Sequence, residues 1–78
     1  MTHAWNLSLK LRLDVSPKDL MKRGFRESEP GEYSGNIGYD HVRIDIASRD
    51  IKFSEIETLG YLIDRNIARI EFLERELK

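Results

Sequence analysis

SEIETLGYLIDRNIARIEFLERELK, residues 54–78, fills about a third of the chain, and its periodicity decides the fold expected of the rest. Apolar residues fall at Ile56, Leu59, Ile63, Ile70, Leu73 and Leu77, a three-then-four spacing that skips one position, Asn66. This is the spacing of a single helical face. Ser54 and Glu57 stand at capping-box spacing, no proline interrupts the stretch, and its one glycine is Gly60. Glu71–Arg75 and Glu74–Lys78 are i,i+4 pairs of the favourable polarity. A helix of this length spans roughly 37 Å, more than the roughly 30 Å diameter of a compact chain of this size. It would overhang its own domain with an apolar stripe in need of cover. As a heptad, Ile56, Ile63, Ile70 and Leu77 fall at a, and Leu59, Asn66 and Leu73 at d. Leu62 and Ile67 flank the stripe and widen it near the middle, and the wide part suits packing on a sheet. The narrower half after Asn66 suits a helix seam. Asn66, Ile70, Phe72, Leu73 and Leu77 are therefore the expected partner-binding residues, with Asn66 fixing register and Phe72 and Tyr61 as anchors off the seam.

Upstream, Trp5, Leu7, Leu9, Leu11, Leu13 and Val15 alternate strictly with Asn6, Ser8, Lys10, Arg12 and Asp14, which predicts a strand over 5–15 with one buried face. Ser16-Pro17-Lys18-Asp19 opens a short helix. Ser16 is suited to cap it, Pro17 to the first helical position, and Asp19 to the positive end of the dipole. Leu20 and Met21 form its buried side, with Phe25 beside them, and Gly24 supplies a left-handed stop. Residues 27–32, ESEPGE, read as a polar turn around Pro30-Gly31. YSGNIGY, residues 33–39, is a strand weakened by Gly35 and Gly38. Asp40-His41 reads as a turn, and Val42, Ile44 and Ile46 as a second good strand. The expected fold is α+β: one small two-layer domain over 1–78, in βαββα order. Its three-stranded sheet is packed by the short helix and the long C-terminal one.

The totals narrow the function. Lys and Arg number 13 against 14 Asp and Glu, a net charge of −1. Residues 1–26 carry six basic against two acidic residues, +4, and the remainder seven against twelve, −5. Such a split can orient a partner or a second copy. With no cysteine there is no thiol catalysis, disulfide or cysteine-ligated metal. No apolar run approaches a membrane span and no stretch reads as a secretory signal, so a cytoplasmic protein of bacterial or phage type is expected, with no membrane partner. So short a chain buries only about 60–65% of its unfolded surface, which leaves room for stabilisation by a partner.

No motif carries identifiable chemistry. The glycines at 31, 35 and 38 lack the Lys-Ser/Thr ending of a phosphate loop and lead into no helix. His3 and His41 lack metal-ligand spacing. Asp40, His41 and Ser34 form a triad on paper only. The chain is expected to be no enzyme and to need no cofactor. It reads as a non-catalytic protein-interaction module, an inhibitor, immunity or antitoxin-like protein or a phage-encoded blocker. It would bind a larger protein, a second copy of itself, or both. The alternative is nucleic-acid binding by Lys18, Lys22, Arg23 and Arg26, with Lys10 and Arg12 on the wet sheet face. That face lacks the aromatic residues of an RNA-stacking sheet.

Overall fold

Alternation shapes the first element. In a computed structural model, which describes the backbone of residues 5–75 and the side chains of residues 8–71, β1 runs over Trp5–Leu11 and buries Leu9 and Leu11. It ends four residues short of the expected limit. Val15 N donates to Arg12 O in a turn that leaves Leu13 74% exposed and returns Val15 to the core.

Helix α1, Pro17–Lys22, has the capping anticipated for it. Ser16 Oγ accepts from Asp19 N, while the Asp19 carboxylate accepts from Ser16 N, with Pro17 in the first turn. Leu20 is fully buried, but Met21 is 49% exposed and does not join the buried side. Gly24, at φ +95°, ends the helix. Its N–H donates to Met21 O and that of Phe25 to Leu20 O, the paired bonds of a Schellman motif. Phe25 is buried, and its ring lies so close to Gly35 that a Cβ there would meet ring carbons at 3.0 to 3.3 Å.

The polar stretch after α1 is itself a hairpin. β2 (Arg26–Glu29) pairs antiparallel with β3 (Glu32–Ile37) across Pro30 and Gly31. β3 pairs with β4 (Asp40–Asp45), and β4 with the short β5 (Ile51–Lys52). The β3–β4 loop is Gly38-Tyr39, with positive φ at Gly38 only, and so lies two positions before the expected Asp40-His41 turn. The result is a four-stranded antiparallel meander rather than three strands.

The largest departure is at the C-terminal end. Helix α2 covers only Ile56–Asp64 and is followed by a strand, β6 (Ala68–Arg75), antiparallel to β1. The single helix expected over 54–78 is thus replaced by helix, turn and strand through residue 75. Asn66 adopts φ +59°; its N–H donates to Ile63 O and that of Ile67 to Leu62 O. This is the device that ends α1, with Leu62-Ile63-Asp64-Arg65-Asn66-Ile67 matching Leu20-Met21-Lys22-Arg23-Gly24-Phe25 position for position. In both, the residue three before the cap and the one after the left-handed residue are buried.

The described residues form an α+β fold, with two helices, the meander and the β1–β6 ribbon. An antiparallel bridge between Lys10 and Asp50 links ribbon to meander. Arg49 holds the junction from a left-handed conformation, φ 66°. Its carbonyl accepts from Leu11 N at 2.8 Å and its Nη1 donates to Arg12 O at 2.8 Å. The core gathers Leu9 and Leu11 of β1, Leu20 of α1, Val42 and Ile44 of β4, and Leu62 and Ile67 around the end of α2. Among the described residues, no helix is long and apolar enough to cross a membrane.

Candidate functional site

Asp40, the first residue of β4, organises the most distinctive surface. Its carboxylate is buried and accepts from Ser54 N at 2.9 Å, Glu55 N at 2.8 Å and Thr58 Oγ1 at 2.6 Å. Glu55, the residue at the N-cap of α2, makes no side-chain cap bond, so Asp40 supplies the cap from another element. The Ser54–Glu57 capping box expected from spacing is not formed. Thr58, then Glu55 and Ser54, donate to the charged form of Asp40 and hold its pKa below the usual 3.8.

This latch fixes the β3–β4 hairpin against the start of α2, and between them lies a cleft of 440 Å³. Ile37, Tyr39, Glu55, Glu57, Thr58 and Tyr61 are among its lining residues. Tyr39 at the hairpin tip is fully exposed, and Ile56 on the first turn of α2 is 71% exposed. Tyr61 is half-buried, and Arg65 Cζ stands 4.6 Å from its ring centroid.

Gly60 lies on the exposed face of α2 between Glu57 and Asp64. It has no positive φ, and a Cβ built on it would meet nothing within 4 Å. A helix-interior glycine is less stable than alanine by roughly 0.5–1 kcal/mol. Nothing in the described fold requires one here.

The residues expected to form a helical seam are dispersed. Asn66 is the left-handed terminator of α2, while Ile70, Phe72 and Leu73 belong to β6, paired with Leu9, Ser8 and Leu7. Ile70 is 45% exposed on that strand, and Leu77 lies outside the described residues. The basic residues do gather: Lys18, Lys22, Arg23 and Arg26 are all exposed on and just after α1, and none joins an ion pair among the described residues.

The paper triad is not assembled. Asp40 faces α2, Ser34 pairs with Arg43 across the ladder, and the exposed His41 ring meets Asn36 Oδ1 through Nδ1 at 3.2 Å. His3 lies outside the described residues. Among the described residues, no three His, Cys, Asp or Glu side chains converge as metal ligands would.

Sequence reasoning named Tyr61 as an anchor but missed Tyr39, Ile56 and Gly60. The signal for Tyr39 was the dipeptide Gly38-Tyr39, a glycine-first loop between alternating segments. Compared with protein-family models, curated proteins and solved structures, the chain matches none of the three.

Proposed function

We propose that this chain is a non-catalytic protein-interaction module whose docking surface is the cleft between the Tyr39 hairpin and α2. The observation that carries this reading is a fully exposed Tyr39 on the wall of a latched cleft that Ile37 and Tyr61 also line. Tyrosine on a two-residue loop offers a large contact area with little conformational freedom to lose. The Asp40 bonds hold both walls in place before a partner arrives, which lowers the ordering cost of binding. An inhibitor or immunity-type protein works in this way, through surface complementarity without chemistry.

Photo-crosslinking in cells tests it. A photoreactive residue at position 39 should trap a second polypeptide, and one at Ser28, on the exposed β2 edge, should not. Equal trapping at both positions, or at neither, would refute the assignment.

A second reading rests on the four exposed cations on and just after α1, unpaired among the described residues, a basic cluster of the kind that binds phosphate. It gains support if heparin retention falls steeply with salt and is lost in Lys22→Glu/Arg23→Glu. Retention unchanged by that variant removes the patch from consideration.

A further inference from the structure

We infer that the occupant of the α2 surface is the α1 helix of a second copy of this chain, an inference that rests on the docking reading above. Two exposed helical ridges carry it. On α2, Glu57, Gly60 and Asp64 stand at i, i+3 and i+7, on one face of the helix. That ridge has a notch where the glycine lacks a side chain and an acid on either side of the notch. On α1, Lys18, Met21 and Lys22 stand at i, i+3 and i+4, all exposed. That ridge has an apolar knob flanked by two cations.

The two are complementary in shape and in charge. Met21, 49% exposed and unbranched, fits a notch whose only requirement is the absence of a Cβ. Lys22 then falls beside Glu57 and Lys18 beside Asp64, with the two helices antiparallel. Along the helix axes the acids are roughly 10 Å apart and the lysines roughly 6 Å, a difference that flexible lysine stems can span.

The same pairing accounts for two features that the isolated fold leaves without a purpose. One is a glycine inside a short helix where alanine would be more stable. The other is a methionine turned outward from α1 while Leu20 alone is buried there. It also gives the charge split between the two parts of the chain a role, because the basic part of one copy meets the acidic part of another. A contact this small is weak and salt-sensitive.

Light scattering of the full chain over a concentration series tests it. The weight-average mass should rise above 9.2 kDa with concentration and fall back as salt is added. Lys22→Glu and Glu57→Lys should each weaken association by about tenfold, since each reversal removes an attraction and adds a repulsion. Lys22→Glu/Glu57→Lys should regain most of it, because both signs are then exchanged. Gly60→Ala should weaken association while raising the thermal midpoint, so that its effect cannot be ascribed to unfolding.

A mass fixed at 9.2 kDa up to about 1 mM would overturn the inference, as would association indifferent to all these substitutions. If the chain stays monomeric while position 39 still crosslinks to a different protein, the second copy is refuted and the docking surface stands. If it is monomeric and position 39 traps nothing, both fall.

Discussion

At Asn66 the backbone enters the left-handed region as the chain leaves α2 and returns along β1. An L-residue with an ordinary side chain is disfavoured in that conformation by roughly 1–2 kcal/mol, glycine is not, and asparagine lies between. Asn66→Ala should therefore lower stability in urea by about 1 kcal/mol, and Asn66→Gly should match or exceed the parent. Were residues 54–78 one helix, the order would invert, with alanine stabilising and glycine destabilising. Asp40 gives a second test, through pH. Its folded pKa is depressed, so its contribution is fully present above the unfolded value near 3.8 and is lost as pH falls through the folded value. Asp19, held down by the Ser16 bonds, and Asp50, held down by Lys10, act in the same sense. Stability should thus decline below about pH 4, and Asp40→Asn should flatten that decline while lowering stability at neutral pH. The cap of α1 was legible in the sequence because Ser16, Pro17, Asp19 and Gly24 act on neighbours a few positions away. Asp40 was not, since its donors lie 14 to 18 residues further on and only the tertiary fold brings them near.

The elements show why helix and strand were confused between residues 65 and 75. The β1–β6 register shifts between Ser8 and Leu9, so that Glu71 is the extra residue of a bulge. Leu9 pairs with Ile70 and Leu7 with Leu73, which places apolar partners three apart on β6 instead of two. Combined with Leu59 and Ile63 upstream, that spacing mimics a helical face. A strand with an unshifted register would have betrayed itself by alternation, as β1 and β4 did. The near-repeat of Leu20–Phe25 in Leu62–Ile67 held the correct answer, because a sequence that stops one helix is suited to stop another. At this scale Gly60→Ala should raise stability by about 0.5–1 kcal/mol, measured by thermal or urea unfolding. A loss of stability would mean that α2 tolerates no Cβ there, and that the glycine has a structural reason after all.

For the whole molecule, composition excluded thiol chemistry and organised attention on surfaces, but the surface itself was not legible. The docking site proposed above is a juxtaposition of a hairpin tip and a helix start, separated in sequence by β4, β5 and the loops around them. The latch at Asp40 joins them into one surface. The basic residues were easier to find, because Lys18, Lys22, Arg23 and Arg26 are close in sequence as well as in space. The same fold sets an outward methionine between cations on α1 and a bare glycine between acids on α2. Its two helices therefore present opposite and matching faces to the surroundings.

The most direct measurement is the yield of crosslinks from a photoreactive residue at position 39, compared between the parent and Gly60→Ala at equal folded concentration. A methyl group placed in the notch should reduce the yield severalfold although the variant is the more stable protein. An unchanged yield would contradict the claim that the partner reached from Tyr39 packs over the Gly60 ridge of α2.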